Sequence, residues 1–533
     1  MKTVFTLSAI FLFLLFIPYC LYSQKGNYML DKSFSKDGKL TTDVTENYYN
    51  NGSKLVTVLV GKNGNLIAIG YSQKDFYKDV LFVKYHADGS LDSAFGNAGV
   101  MHYGSNNTDD ICNQAHLQSD GKILALIQSK KQPYLIRFFE DGSIDEKFGV
   151  NGKVLLKYTG YSLDVDDSDN IVVAERPKRN HKLIFSLQRF NKNGKADSTF
   201  GNQNLSSARI GYEGYYDPIP QQVKFDKNGK IVVGGTWTPD EKSKMIFLRF
   251  TAHGAIDKSF NDSGKIVLDT LKEDATLYSM AITPDNKIIA GGAIGEASFI
   301  HDFDSQDFLV TRLLPTGDID KKFGMNGFAR TDFSSTLSPF RDDEIATICL
   351  QKDNKIIAAG TTLANYFDGL FATCRYLPNG KLDTTYGDEG RITTKFGDNN
   401  DTRINDAVLQ PDEKLVVAGY HATDGSGNLG GDVAMARYLK EKPLSNKDNI
   451  SIQTLSNSNI KISPNPATNI LHIEGLLSNK TKLTIADFAG NIKLQTVVNT
   501  SSYNLNIATL QAGNYLLKIE MNGEVVTKQF VKE

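Results

Sequence analysis

The chain has 533 residues, and its 59 Lys and Arg residues nearly balance its 61 Asp and Glu residues, giving a formal net charge of −2. This balance excludes a protein that binds nucleic acid through bulk positive charge, and it excludes a long acidic tail. Apolar residues form 40% of the chain, enough for a buried core, and 45 glycines beside many Tyr and Phe favour an all-β fold. Four cysteines exclude a dense disulfide scaffold. Length alone, at about 150 residues per domain, predicts three or four domains.

The first residues have the pattern of an export signal. Lys2 is followed by an apolar run from Val4 to Pro18 and then by a polar boundary. We therefore expect a secretory signal peptide at residues 1–23, cleaved near Ser23. An uncleaved membrane anchor is the alternative interpretation.

Cleavage of such a signal would remove Cys20 from the mature chain. The other cysteines form an odd set in strand-like contexts: Cys112, Cys349 and Cys374. An odd set of this kind favours buried free thiols over a disulfide framework. A bridge between Cys349 and Cys374 is the alternative.

A repeat of about sixty residues organises most of the chain, as a search for self-similarity shows. Its most distinctive motif has the form LDxxFGxxG and occurs seven times at steps of 52 to 63 residues. The aspartates of the seven copies are Asp31, Asp92, Asp145, Asp197, Asp257, Asp320 and Asp383.

Two further motifs also occur seven times. One is a tight turn that enters an apolar run, as in DNKIIAGG at Asp285–Gly292, and the other is an apolar strand with one basic residue. The basic residues are Lys84, Arg137, Arg189, Arg249, Arg312, Arg375 and Arg437. Since one Asp and one basic residue recur in every unit, we expect them to stabilise the unit, with the basic residue bonded to a turn carbonyl or to the turn aspartate.

Each unit contains four short strands separated by turn signals, and no segment shows sustained helical periodicity. Four strands per unit in seven radial units predict a seven-bladed β-propeller at residues 24–440. The repeat array begins with a fourth strand at Leu30–Leu40 and ends with a third strand at Val433–Leu439. We therefore expect the N-terminal strand to complete the last blade and close the ring, whereas an open stack of sheets would leave exposed edges.

The three motifs together resemble the delta-60 repeat, a family expected to form β-propellers. The resemblance covers about Leu30 to Leu439, with departures at Asn202–Leu205 and Ser168–Asn170, where we expect irregular turns. The family implies an architecture and no particular reaction.

The pattern changes after a polar linker at residues 441–458. Residues 459–533 contain alternating strands between Pro, Asn and Gly turns, which predicts a small Ig-like β-sandwich and reduces the domain estimate to one ring and one small module. This segment resembles the type A C-terminal sorting domain of the type IX secretion system of Bacteroidetes. The matching residues include Pro464, Asn465, Pro466, Asp487, Gly490, Gly513, Tyr515 and Lys528.

The sorting-domain resemblance implies the type IX machinery as a partner. It also implies transport through the outer membrane, removal of the domain, and often attachment to surface lipopolysaccharide. An ordinary carbohydrate-binding or Ig-like module is the alternative. We expect a secreted or outer-surface protein that meets membranes only during translocation and has no nucleic-acid partner.

Motifs for common chemistry are absent from the sequence. There is no HExxH, no CxxC pair and no GxSxG nucleophile elbow. The GxGxxG match at Gly425–Gly430 precedes a strand, so it lacks the helix N-terminus that would hold a pyrophosphate, and we interpret it as a loop. We therefore expect no cofactor and no metal from local motifs.

The loops between second and third strands, and between fourth and first strands, should lie on one face, which we call the variable-loop face. These loops vary in length and are rich in carboxylates and aromatics, the residue types that bind sugars, peptides or Ca²⁺. The candidate ligand-binding residues are Asp109, Asp110, Trp237, Asp307, Asp342, Asp343, Tyr366, Phe367 and Asp368, with Asp75, Phe76, Tyr77, Asp79, Asp302, Phe303, Asp304, Glu344, Asp398 and Asp401 in the same loops. A merely solvated rim is the alternative interpretation of this face.

The sequence thus predicts an exported, cell-surface or secreted propeller that acts as a binding or structural module for a glycan or protein ligand. The alternative function is a secreted polysaccharide-active hydrolase or lyase with its site on the variable-loop face. Paired carboxylates with raised pKa values on that face would favour the enzyme. A surface filler or adhesin without a small ligand is the third possibility.

Overall fold

A computed structural model describes residues 29–44, 53–74, 77–104, 108–177, 185–202, 204–208, 216–239, 242–295, 305–333, 341–363, 369–397, 401–422, 431–441, 460–476, 481–487, 491–521 and 524–533. The chain divides into two units, Met1–Lys442 and Pro443–Glu533. The predicted signal peptide and nearly all of the predicted linker lie outside the described residues. Within the described ranges every regular element longer than a turn is a strand, and no helix is long and apolar enough to cross a membrane.

Within the described residues, the first unit contains seven sheets, numbered here in chain order, each built on four antiparallel strands. Sheets 1 and 2 consist of β2 Ser53–Val60, β3 Leu66–Lys74, β4 Tyr77–Tyr85, β5 Val100–Tyr103, β6 Asp110–Leu117, β7 Ile123–Ser129, β8 Tyr134–Phe138 and β9 Lys153–Leu155. Sheets 3 and 4 consist of β10 Thr159–Val165, β11 Ile171–Arg176, β12 Phe185–Phe190, β13 Ser206–Ala208, β14 Tyr216–Phe225, β15 Ile231–Thr238, β16 Lys244–Phe250 and β17 Lys265–Val267.

The remaining sheets of this unit follow the same plan. Sheets 5 and 6 consist of β18 Ala275–Ile282, β19 Ile288–Ile294, β20 Ser305–Leu313, β21 Phe328–Thr331, β23 Glu344–Leu350, β24 Ile356–Leu363, β25 Gly369–Tyr376 and β26 Arg391–Thr394. A two-residue strand, β22 at Arg341–Asp342, pairs in parallel with β20. Sheet 7 consists of β27 Thr402–Leu409, β28 Leu415–His421, β29 Asp432–Tyr438 and β1 Lys39–Thr42.

The sheets are arranged around an axis. The first strand of each sheet contacts the first strand of the next, from β2 through β6, β10, β14, β18, β23 and β27, and β27 contacts β2 again. The first strands are therefore innermost, and the sheets form a ring. The all-β propeller fold predicted from the repeats is confirmed.

Apolar clusters fill the spaces between neighbouring sheets. In the described chain there are seven of them, each built from two adjacent sheets. The cluster between sheets 7 and 1, for example, joins Leu55 and Leu81 of sheet 1 to Val416 and Met435 of sheet 7. Since full burial of one such side chain stabilises the fold by about 1.5–3 kcal/mol, these clusters supply most of the attraction between sheets.

The repeated arginines connect each sheet to the next. Arg249 Nε donates a hydrogen bond to Asp257 Oδ2 at 2.7 Å, and its guanidinium lies 4.7 Å from the centre of the Phe260 ring. Arg249 Nη1 also donates to the carbonyl of Pro315 in sheet 5. We call this set of contacts the arginine clamp, and it recurs at Arg137, Arg189, Arg312, Arg375 and Arg437. The expected structural role of these residues is confirmed.

The ring closes through the N-terminal strand, as the repeat pattern predicts. β1 pairs antiparallel with β29, with Lys39 opposite Ala436. The clamp of sheet 7 also spans this junction, because Arg437 Nε donates to Asp31 Oδ2 at 2.9 Å across 406 residues of sequence. The two ends of the repeat array are therefore joined by backbone pairing and by a buried ion pair.

The three cysteines that the structure describes are free thiols. Cys112 and Cys374 are buried, and Cys349 is half-buried. The alternative bridge between Cys349 and Cys374 is therefore not formed.

The second unit is a β-sandwich of two antiparallel sheets. Its strands are β30 Lys461–Ser463, β31 Ile470–Glu474, β32 Thr481–Asp487, β33 Ile492–Val498, β34 Ser502–Asn506, β35 Gly513–Met521 and β36 Glu524–Lys532. One sheet has the order β30-β31-β34 and the other β33-β32-β35-β36. Leu471, Ile485, Leu517 and Phe530 belong to the apolar core of this unit.

The clamp makes a testable prediction at Arg249, which is buried together with Asp257. Arg249→Met removes the guanidinium from the Asp257 carboxylate and leaves the Pro315 carbonyl without this donor, whereas Lys230 stays 2.8 Å from Asp257 Oδ2, so we expect a loss of about 1–3 kcal/mol in the free energy of unfolding. Arg249→Lys should cost less, because sheet 1 functions with Lys84 at the equivalent position, 3.3 Å from the Glu140 carbonyl. Urea unfolding measures the difference, with Lys62→Met at an exposed site as control. Equal urea midpoints for Arg249→Met and the control would show that the clamp does not stabilise the fold.

A second prediction concerns Glu175 in β11, which is fully buried. Burial raises the pKa of Glu175 to about 8 from its usual 4.5, so the folded protein holds a proton there that the unfolded chain releases. The contribution of this group to stability is therefore full below pH 4.5 and declines as the pH rises towards about 8. Glu175→Gln should remove this decline in urea midpoints measured across the range, and the exposed control Glu146→Gln should keep it. Parallel profiles for wild type and Glu175→Gln would contradict the assignment.

Candidate functional site

Every innermost strand of the ring carries a β-bulge at the same place. In β18, for example, Leu277 lies opposite Gly292 and Ser279 lies opposite Gly291, so Tyr278 has no partner in β19. The same shift occurs in the other six first strands. The unpaired residues are Val56, Asn113, Tyr161, Gln221, Tyr278, Ala346 and Asn405, and we call them the bulge residues. Bulges commonly redirect side chains next to functional sites.

Glycines in the second strands make room for these bulges. A Cβ atom at Gly292 would overlap the carbonyl oxygen of Thr276, just before the bulge. Gly70, Gly235, Gly360 and Gly419 meet the corresponding carbonyls in their sheets. Sheets 2 and 3 keep the bulge with Ile127 and Glu175 at this position. The glycine that ends the second repeat motif therefore has a place in the second strand, beside the bulge.

All seven bulge residues line one central cavity of 540 Å³. The other lining residues are Lys54, Thr57, Gln114, Gln128, Gln222, Glu344, Ile345, Thr347, Thr361, Arg403, Ile404, Asp406 and Tyr420. Six of the seven bulges lie in the first halves of the innermost strands, and Gln221 lies just past the middle of β14. Gln128 and Tyr420 lie near the ends of second strands. The cavity therefore opens towards the variable-loop face.

Charged groups occupy the wall that sheets 6, 7 and 1 form. Lys54, Glu344 and Arg403 come from the three first strands just before the bulge. Burial and the nearby Asp342 raise the pKa of Glu344, although Arg403 opposes this shift. Burial and the neighbouring Arg403 lower the pKa of Lys54. Arg403 itself is held by Asp401, whose Oδ2 accepts a hydrogen bond from Arg403 Nε at 3.0 Å.

Tyrosines and amides occupy other parts of the cavity wall. Tyr420 donates to Asp401 Oδ2 at 3.4 Å, and burial raises the pKa of Tyr420 to about 12. Among the described residues, Asn405 Oδ1 is buried and has no hydrogen-bond partner. Tyrosine rings, hydroxyls and amides together suit a ligand with many hydroxyl groups.

Asp406 holds the cavity wall together. Its carboxylate accepts hydrogen bonds from Thr57 Oγ1 at 2.7 Å and from the Val58 amide at 3.0 Å in sheet 1. It also accepts one from Thr347 Oγ1 in sheet 6 at 2.8 Å. Burial raises the pKa of Asp406, and these donors oppose that shift. Asp406 thus joins three sheets, and its carboxylate oxygens are used for these structural hydrogen bonds.

A second polar feature lies at the ends of β20 and β21. Asp307, Asp332 and Asp343 each place a carboxylate oxygen within 4.8 Å of the others. Burial raises the pKa of Asp343 to about 7, and it raises the pKa of Asp307 in spite of a hydrogen bond from Arg330. The sequence named Asp307 and Asp343 as candidates but did not single out Asp332.

Among the described residues, Asp109, Asp110 and Asp342 belong to neither the cavity wall nor the carboxylate cluster. Asp109 forms an ion pair with Lys130 at 2.9 Å, and buried Asp110 accepts a hydrogen bond from the Tyr134 hydroxyl at 3.4 Å. Asp342 is exposed in β22. The predicted residues Tyr366, Phe367 and Asp368 lie outside the described residues, as do Asp75, Phe76, Asp302, Phe303, Asp304 and Asp398.

The prediction for Trp237 is wrong. Its side chain is 6% exposed and packs in the apolar cluster between sheets 3 and 4, with Phe185 and Ile246. β15 continues beyond the point that the sequence assigned to the loop, and Trp237 pairs there with Lys244. This register directs the indole into the space between the sheets.

Sequence reasoning missed the bulge residues and two of the charged groups, Lys54 and Arg403. A usable signal was present, because the first strand of each unit mixes polar and apolar residues where a buried strand should be apolar. What the sequence could not supply was the register at which each strand bulges.

The sorting-motif residues are structural parts of the second unit. Asn465 Oδ1 accepts a hydrogen bond from the Val531 amide at 2.8 Å, which holds the Pro464–Pro466 segment against β36. The Tyr515 ring stacks on Phe530 at 5.8 Å, and Gly513 pairs with Lys532. Lys528 pairs with Leu517, Asp487 accepts from the Asn491 amide at 2.9 Å, and Gly490 lies outside the described residues.

Comparison with known proteins agrees with both units. Residues 461–533 match the family described as "Secretion system C-terminal sorting domain". Residues 351–386 match the family described as "Domain of unknown function (DUF5122) beta-propeller". No curated protein matches the chain.

Several solved structures are similar in fold at low identity. Semaphorin 1a of Drosophila is 9% identical, with a TM-score of 0.42, over 76% of this chain and 89% of that chain. A protein of unknown function from Dyadobacter fermentans is 13% identical, with a TM-score of 0.38, over 75% and 98%. PorZ, a surface component of the type-IX secretion system of Porphyromonas gingivalis, is 11% identical, with a TM-score of 0.28, over 90% and 70%. Since these scores are low, the fold assignment rests on the sheets and the family matches, and the chain is a β-propeller protein of Bacteroidetes type that carries a type IX secretion system sorting domain.

Proposed function

We propose that this exported propeller binds a glycan in its central cavity on the variable-loop face. The observation that carries the proposal is the set of bulge residues. Six of the seven units have Arg at the clamp and the seventh has Lys, yet at the bulge the units present Val, Asn, Tyr, Gln, Tyr, Ala and Asn. These side chains point into the cavity, so their variety is not needed for packing between sheets.

The chemistry of the lining favours a sugar over an apolar ligand. Amide side chains from sheets 2, 4 and 7 supply both donors and acceptors, and Tyr161 and Tyr278 add ring faces and hydroxyls. A sugar offers alternating hydroxyls and apolar ring faces, which such a set matches. The charged groups Lys54, Glu344 and Arg403 would give the cavity an oriented electrostatic field.

Removal of single polar groups from the cavity tests this proposal. Tyr278→Phe and Asn405→Ala should each weaken glycan binding about tenfold, because one hydrogen bond in a desolvated site is worth about 1.4 kcal/mol. A glycan array with the purified chain identifies the ligand, and calorimetry measures the affinities. Met325→Ala removes an exposed side chain from the turn between a third and a fourth strand, away from the cavity, and should bind as wild type does.

Three outcomes separate the possible functions. Wild-type affinity in both cavity variants would exclude the cavity as the binding site. A peptide ligand that binds with the same sensitivity would replace the glycan as ligand class. Breakdown of the bound glycan, lost in Glu344→Gln, would favour the alternative of a polysaccharide-active enzyme, because burial raises the pKa of Glu344 as a general acid requires.

The sorting domain supports export to the cell surface or beyond it through the type IX machinery. We expect deletion of residues 459–533 to retain the protein inside a Bacteroidetes host with that machinery, as cell fractionation would measure. Tyr278→Phe, which leaves the second unit intact, should be exported normally and is the matched control. A truncated protein that still reaches the surface would contradict the sorting role.

A further inference from the structure

The carboxylates of sheet 5 and of its connection to sheet 6 meet at one point. Asp307 lies near the start of β20, Asp332 directly follows β21, and Asp343 lies between β22 and β23. The parallel pairing of β22 with β20 brings Asp343 beside Asp307, and the Asp343 amide donates to the Gln306 carbonyl at 2.9 Å. We propose that Asp307, Asp332 and Asp343 bind a divalent cation of the Ca²⁺ type.

The strongest support is the environment of Asp343. Its side chain is completely buried, and its Oδ2 accepts a hydrogen bond from the Phe333 amide at 2.7 Å. Its Oδ1 is also buried and forms no hydrogen bond of normal geometry with the described residues, although the Thr362 hydroxyl lies near the carboxyl group. A buried carboxylate oxygen is costly without a partner, and a cation between the three carboxylates would supply one.

The balance of charge points the same way. Arg330 is the cation bonded to Asp307, and it also forms an ion pair with Glu273 at 3.0 Å. One guanidinium therefore faces Asp307 and Glu273 together, while Asp332 and Asp343 add two more carboxylates to the same region. A divalent cation would interact favourably with several carboxylates placed this close together.

The three carboxylate ligands favour a hard cation such as Ca²⁺. All three ligands are carboxylate oxygens, which hard cations prefer over the soft and borderline metals that take Cys and His. Two oxygens on opposite sides of Ca²⁺ are about 4.6–5.2 Å apart, since each Ca–O bond is about 2.3–2.6 Å. Because the three Asp oxygens lie within 4.8 Å of one another, one Ca²⁺ can reach all of them, and water or backbone oxygens would complete the coordination.

A cation here would also affect the central cavity. Asp343 is followed directly by Glu344, which lines the cavity wall. Binding would join β20, β21 and the start of β23 and would hold Glu344 in place. The cation site does not depend on the identity of the cavity ligand, because none of its three carboxylates lines the cavity.

Calcium titration of the full chain tests the proposal. After removal of metals with EDTA, CaCl₂ should give saturable binding in calorimetry and should raise the melting temperature by several degrees, at concentrations up to the millimolar range typical of extracellular sites. Asp332→Asn and Asp343→Asn should abolish both effects. Asp332 is exposed, so its substitution leaves the fold intact. Asp342→Asn changes the neighbouring exposed carboxylate and should keep the full response.

Two results would overturn the proposal. One is a melting temperature and a calorimetric trace that do not respond to millimolar CaCl₂. The other is a calcium response that survives in both Asp332→Asn and Asp343→Asn. If calcium has no effect and Asp343→Asn melts above wild type, Asp307 and Asp343 share a proton and no cation is bound.

Discussion

The arginine clamp is the interaction on which the rest of the first unit depends. One guanidinium bonds to the aspartate of its own sheet, lies on the aromatic ring of the same motif, and donates to a turn carbonyl of the next sheet, as Arg249 does with Asp257, Phe260 and Pro315. Because the planar group has donors on several sides, it can bond to these partners in a fixed geometry and so links each sheet to the next. The same contacts at Arg437 and Asp31 join the first and last parts of the array.

A ring built in this way places the first strand of every sheet next to the axis. The bulges in these strands then determine which side chains line the central cavity. At each bulge one residue is left out of the strand pairing and lines the cavity, while the arginine clamp and the apolar clusters hold neighbouring sheets together. The contacts between sheets can therefore repeat around the ring while the side chains of the cavity wall differ from sheet to sheet. The buried carboxylates likewise differ in their roles. Asp257 bonds to the arginine of the clamp, and Asp406 bonds to Thr57 in the cavity wall. Asp343, by contrast, has an oxygen that forms no hydrogen bond within the described residues.

The departures from the repeat show how the fold absorbs changes in sequence. In sheet 3 the second glycine of the motif is missing, and the Asn204 side chain accepts the Arg189 amide at 2.9 Å, in the place of the glycine carbonyl that Arg249 uses. The turn at Ser168–Asn170 is formed with Asp169 at a φ of 62°, a conformation that Asp tolerates better than most residues. Both irregularities are visible in the sequence. The contacts that compensate for them form only in the folded turns.

The sequence by itself determined the repeat unit, the closure of the ring by the N-terminal strand, the structural role of the arginines and the sorting domain. Each of these is encoded by short motifs whose residues lie close together or recur at a regular step. Only the tertiary structure decided that Trp237 faces the core, that Tyr278 and Asn405 face the cavity, and that Asp332 joins Asp307 and Asp343. These outcomes depend on the register of a bulge, on the length of a strand and on the pairing of β22 with β20. A shift of one residue in any of them turns a side chain to the other face, and no local pattern specifies it.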